Sequence, residues 1–192
     1  YLHSDEKQRT IILVVRWNMH VEEVPEFLNI AKELLGDARV WDMQKYIQHG
    51  SISCLEHSFV VSYYSFTLVR KLRMSCDERS LVRGALLHDY FLYDWHEAED
   101  WHRLHGFRHP FFANRNALRD FQISEREQEI IRKHMWPLTV IPPMCREAWV
   151  VNAVDTASGI VEVLAEYRIF KRLRRRWLES KLELLKQVKE NL

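Results

Sequence analysis

His57, His88, Asp89, His109, His134 and Asp155 are the side chains of this 192-residue chain whose types suit metal chemistry. His88 and Asp89 are adjacent, closing the apolar run of GALLHDYFLYDW, residues 84–95. An ionised group buried without a partner costs several kcal/mol, so this pair needs a metal, a salt bridge or water. Imidazole nitrogen and carboxylate oxygen together suit Fe, Mn, Co, Ni or Zn, and the charge of an ion offsets that of buried carboxylates. Neighbours in mid-helix point about 100° apart and cannot share a face. At a helix end they can flank one ion, or the Asp can bridge two. The plain alternatives are a hydrogen-bonded His–Asp pair, His134 as a cation favoured by a helix C-terminus, and His109 as a cap or turn residue.

The elements that must position these residues read as helices. Val24, Leu28, Ala31 and Leu35 recur at helical spacing over 22–35, with Gly36 as the expected C-cap. A second short helix is expected over 38–48, stopped by Gly50. Ser53-Cys-Leu-Glu56 has the form of a capping box and opens a helix to about Leu72 that carries His57. Ser75-Cys-Asp-Glu78 has the same form and opens the helix ending in His88-Asp89. Residues 94–108 lack clean periodicity and read as a long loop or broken helix, with a new helix starting at His109-Pro110. Ser124-Glu-Arg-Glu127 is a third capping box, its helix running to about His134 and stopping before Pro137. Pro142-Pro143 precedes a long helix containing Asp155. The stretch from Arg168 is basic first and amphipathic later. The fold class expected is all-α.

Composition agrees. Hydrophobic residues make up 47%, enough for a sizeable core, while five Gly and five Pro are too few for a loop-rich all-β protein. A formal net charge of +1 gives no general attraction to nucleic acid or an acidic membrane. Cys54, Cys76 and Cys145 are widely spaced and odd in number, which points to free thiols, a reducing compartment and a cytoplasmic setting, not to a Cys-based zinc site. No apolar run approaches the roughly 20 residues of a bilayer span, and Thr10–Val15 is too short for a signal-peptide core.

With the set assembled, the chain resembles the HD superfamily of metal-dependent phosphohydrolases over roughly residues 45–160. The motifs are His57 in EHSFVVSYYS, His88-Asp89 in GALLHDYF and Asp155 in VNAVDTAS, with His109 in FRHPF and His134 in RKHMWP where binuclear members carry two more histidines. The resemblance implies an HD-domain helical bundle over that span, and the sequence pattern adds N-terminal helices over 22–48 and a C-terminal basic amphipathic helix over 168–190 packed on it in a single domain, 1–192. It puts His57, His88, Asp89 and Asp155 on a first ion, with Asp89 bridging to a second held by His109 and His134. Two divalent transition ions are implied, Fe or Mn foremost and Zn, Ni, Co or Mg as alternatives. The chain departs from the family after the His-Asp: Tyr90-Phe91-Leu92 replaces the Ile-Gly-Lys of many binuclear members, and Asp94 is the nearest acid to the Glu of the mononuclear nucleotidases.

The activity implied is hydrolysis of a small phosphorylated substrate, a nucleotide among the candidates, by metal-activated water. His105, Arg108 and Lys133, next to ligand motifs, are candidates to hold phosphate or protonate the leaving group. His49 and Asp94 are candidate substrate contacts. His96, His102 and His105, with Trp95, Trp101, Phe107 and Arg108, form a segment that reads either as a lid or as a loop packed on the surface. Lys171, Arg172, Arg174, Arg175 and Arg176 read as a solvated face before a phosphate or nucleic-acid site, and Leu182, Leu184, Leu185 and Val188 as core or the seam of a homodimer. Two rival classes use the same ligands: a mixed-valent diiron oxygenase, and a nucleotide-binding regulator without turnover.

Overall fold

The computed structural model describes residues 23–95, 104–165 and 175–191. Its helices are α1 (Val24–Leu35), α2 (Ala38–Trp41), α3 (Cys54–Lys71), α4 (Glu78–Leu87), α5 (His105–Asp120), α6 (Glu125–Lys133), α7 (Arg146–Ala165) and α8 (Ser180–Glu190). A 3₁₀ turn over Asp42–Lys45 follows α2, and a π-helical turn over Arg175–Glu179 leads into α8. The described sheet is one antiparallel pair, β1 (Ile47–His49) with β2 (Ile52–Ser53). The all-α expectation is met.

Helix α3 lies at the centre because its sequence leaves it no polar stripe. From His57 to Val69 it carries no Lys, Arg, Asp or Glu, and it is buried nearly all round. Small residues let neighbours approach: Ser62 donates its hydroxyl to the Val82 carbonyl of α4 at 2.9 Å. On another side Phe27 of α1 meets Phe59 and Tyr63 edge-on at 5.4 and 5.3 Å. Each such buried ring contributes roughly 1.5–3 kcal/mol. Helix α4 reaches α6 through Gly84, where an added Cβ would lie 2.7 Å from Ile130 Cδ1 and 3.0 Å from Ile130 Cβ. Leu184 and Leu185 of α8 are buried in the core with Phe59, Tyr63 and Phe66, so the leucine series is core packing.

Several boundaries differ from the sequence expectation. The capping boxes at Ser53 and Ser124 form as expected. At α4 the cap is Asp77, not Ser75: its carboxylate accepts the Ser80 N–H at 3.0 Å and the Ser80 hydroxyl at 2.8 Å. A carboxylate beside the positive end of the helix displaces a hydroxyl two residues earlier. The helix expected over 38–48 ends at Trp41 and gives way to the 3₁₀ turn and β1, and Gly50, at φ 55°, supplies the left-handed residue of the hairpin. Gly36 has φ −73°, so it ends α1 without a left-handed cap. Helix α5 starts one turn early, at His105, which makes Pro110 its sixth residue. The only intrahelical bond Pro110 removes there is the one to the Gly106 carbonyl. His96, Trp101, His102, Lys171, Arg172 and Arg174 lie outside the described residues.

Candidate metal centre

His88 and His134 occupy equivalent places, at the C-caps of α4 and α6. Each folds its imidazole back so that Nδ1–H donates to the carbonyl three residues earlier, Ala85 at 2.7 Å and Ile131 at 2.8 Å. This satisfies a last-turn carbonyl that has no intrahelical partner and fixes the tautomer. His109, in the second turn of α5, donates from Nδ1 to the His105 carbonyl at 3.0 Å. Three imidazoles therefore turn Nε2 toward a common centre. His57 of α3 does the same, with its Nδ1 set 2.8 Å and 3.0 Å from the two oxygens of Glu162.

Asp89 lies between the four rings. Its Oδ2 is 3.3 Å from His88 Nε2 and 3.8 Å from His57 Nε2, and its Oδ1 is 3.2 Å from His109 Nε2 and 3.7 Å from His134 Nε2. Asp155 closes the first half, with Oδ1 2.9 Å from His57 Nε2 and 3.6 Å from His88 Nε2. Donors sharing one ion through bonds of about 2.0–2.2 Å lie roughly 3 Å apart. The ligand atoms lie within 4.8 Å of one another in three overlapping groups, His57–His88–Asp89, Asp89–His109–His134 and, joining the two, His88–His134–Asp155. The turn after Asp89 is tied down by Asn116 of α5, which donates to the carbonyls of Tyr90 and Phe91 at 3.2 and 2.8 Å. Asn152 of α7 does the same for the end of α6, donating to the carbonyls of His134 and Trp136 at 2.5 and 2.7 Å.

The residues fit a cation on two counts. His88 Nε2 and both oxygens of Asp89 are buried without a hydrogen-bond partner, an expensive arrangement for groups of this polarity. His109 Nε2 and His134 Nε2 also face each other at 2.8 Å. Since both rings commit Nδ1–H to carbonyls, their neutral forms point two lone pairs at one another, which a cation between them turns from repulsion into binding.

Charge is distributed unevenly. Burial lowers the pKa of His57, but the charges and hydrogen bonds of Glu162 and Asp155 outweigh it and hold the pKa well above the ordinary value. His88 is likewise pushed down by burial and up, more strongly, by Asp89 and Asp155, ending at about 10. His134 has the opposite fate: burial, then the charges of His88 and His109, bring it down to about 3. Asp89 and Asp155 are raised by burial but held well below the carboxylate range by their histidine neighbours.

The other sequence candidates divide. His105 stacks on His109 with ring centroids 4.6 Å apart, and its Nδ1 is 2.9 Å from the Tyr93 hydroxyl. Arg108 is exposed in the first turn of α5. Lys133 pairs with Glu129 at 3.3 Å, and the same Glu129 oxygen accepts the N–H groups of Met144 and Cys145. Asp94 is half-buried and near enough to Cys54 to help raise the pKa of its thiol, whose burial is the larger cause. His49 ends β1 opposite Ile52. Glu162 and Tyr93 are the residues sequence reasoning missed. The signal for Glu162 was its spacing: seven residues after Asp155, it falls on the same helix face two turns on.

The fold and centre together define a helical protein with a buried His/Asp cluster able to hold metal, compatible with an HD-like site. Compared with protein-family models, curated proteins and solved structures, the chain matches none. No helix among the described residues is long and apolar enough to cross a membrane.

Proposed function

We propose that this chain is a metal-dependent phosphohydrolase of the HD type. The observation that carries the reading is Asp89, whose two oxygens face two separate pairs of imidazoles as a bridging carboxylate does. His57, His88, Asp89 and Asp155 would hold one ion, and Asp89, His109 and His134 a second. Bound there, the ions would supply Lewis acidity, lowering the pKa of water toward neutrality and offsetting phosphoryl charge.

The protein's own groups would do the rest. Burial pushes the Tyr93 phenol up to about 12, so it stays a neutral hydroxyl, 2.9 Å from His105 Nδ1. Oriented by that contact and by its stack on His109, His105 would act in its imidazolium form, passing a proton to the leaving oxygen. A cleft of about 390 Å³, lined by His134, Met135, Trp136, Pro137, Leu138 and Thr156, adjoins the ligands and offers an apolar wall to the organic part of the substrate.

The test is elemental analysis of the protein purified without chelator, followed by phosphate release from p-nitrophenyl phosphate with added Mn²⁺ under argon. About two ions per chain and metal-dependent release are expected. Metal binding with substrate-dependent oxygen uptake and no phosphate would move the reading to a diiron oxygenase; tight nucleotide binding without turnover would move it to a sensor.

A further inference from the structure

We infer that Glu162 is a positioning residue that makes the two ion positions unequal, so that the half built from His57, His88 and Asp155 takes the first ion and holds it more tightly. This rests on the metal reading above. Three of the four imidazoles have Nδ1 on a neutral main-chain carbonyl. His57 alone of the four has Nδ1 on a carboxylate, and both side chains of that pair are fully buried. A carboxylate drawing on the Nδ1 proton raises electron density at Nε2 and makes the ring a stronger ligand, and low local dielectric magnifies the effect. The Glu162 charge also reaches the ion itself.

The two halves then differ in charge as well as donor strength. Asp89 is shared and Asp155, nearest His57 and His88, also comes within reach of His134, whereas Glu162 lies on His57 and so belongs to the first half alone. Helix α7 carries both Asp155 and Glu162, so ligand and positioning residue are held by one rigid element.

The experiment is a titration of the metal-free full chain with Co²⁺ alone, read by heat and by visible d–d absorption. The wild type should fill in two steps. Glu162→Gln keeps the shape and an acceptor for Nδ1–H but removes the charge; it should weaken the first step about 10–100-fold and leave the second nearly unchanged. In a His57→Ala background the same change should have a clearly smaller effect, limited to the direct loss of the Glu162 charge. An unchanged first step, or equal weakening of both steps, would overturn the inference. If Glu162→Gln does not fold, Glu162→Asp, which withdraws the charge by one methylene, must lose the first step selectively, and wild-type affinities in it would be equally fatal. No Co²⁺ uptake by the wild type would defeat the metal reading itself, whereas two clean wild-type steps with no response to Glu162 changes defeat this inference alone.

Discussion

The two halves of the centre are built by different means. His57, His88 and Asp155 come from α3, α4 and α7, and this half has two carboxylates beyond the shared Asp89, the partly exposed Asp155 and the fully buried Glu162. His109 and His134 come from α5 and α6, bring no carboxylate of their own, and face each other across 2.8 Å. In the metal-free protein the first half stores protons on its imidazoles, while His134 is held neutral. The difference teaches that similar ligand types need not make similar sites: the number of buried charges around them sets what each half does.

The largest expected effect removes the comparison altogether. Asp89→Ala takes away the carboxylate both halves share, so both ions and all phosphatase activity should be lost, read by elemental analysis and turnover. Full activity in that variant would end the metal hypothesis. Next, His134→Ala should lose the weaker step and keep the tight one, whereas His57→Ala should lose the tight step and keep the weaker one. Equal affinities for the ion left in the two variants would show that the halves are not ranked.

Gly84→Ala sharpens the comparison from a distance. An added Cβ would press on the body of Ile130, not only its tip, and must push α6 away from α4. Overpacking of this kind costs roughly 1–3 kcal/mol. Because α6 carries His134, the second ion should weaken while the first, on α3, α4 and α7, is largely kept. Thermal unfolding and a Co²⁺ titration check the two parts.

Much of this centre was legible in the sequence, for reasons that also explain what was not. The six candidate ligands stand out by type and place: His88 and Asp89 close an apolar run, His134 follows a helix announced by its capping box, and ionised groups are seldom fully buried without a partner. Ser53 and Ser124 announce their helices through capping boxes that the structure contains. Helix α5 has no such signal: it begins after Leu104, whose φ is 67° and whose side chain caps nothing, so Pro110 was the more visible mark. The β1–β2 pair is too short for a two-residue period to show. Glu162 was hidden by company, lying between exposed Ile160 and Val163 on a helix with apolar residues on several sides. Only the neighbouring α3, brought there by packing, reveals that it faces His57.

The pH response should separate the halves by sign. His88 has a folded pKa near 10 against an unfolded value of about 6.5, so the folded metal-free protein binds its proton more tightly. That stability is complete below the unfolded value and is lost as pH rises toward 10. His134, near 3 when folded, contributes stability above the unfolded value and loses it as pH falls toward 3. Metal-free protein should therefore lose Tm at both extremes. His88→Gln should flatten the alkaline limb and His134→Gln the acidic one. Metal must displace the His88 proton, so affinity in the first half should also climb with pH over the alkaline window.

The smallest effect is expected at Lys133, on the flank of the second half, where sequence position makes it look like His105. The structure sets them apart: His105 stacks on the ligand His109, whereas Lys133 is turned to Glu129. Glu129 still holds the N–H groups of Met144 and Cys145 when the lysine is gone. The pair is partly exposed, so its loss should cost less than about 1 kcal/mol. Lys133→Met should leave kcat within about twofold, since a side chain engaged elsewhere is not presented to the substrate. His105→Phe keeps a ring for the stack but no proton, and kcat should fall on the order of 10²–10⁴-fold with both ions still bound. A kcat that responds to Lys133 and not to His105 would reverse the assignment and place the proton donor on the α6 side of the second ion.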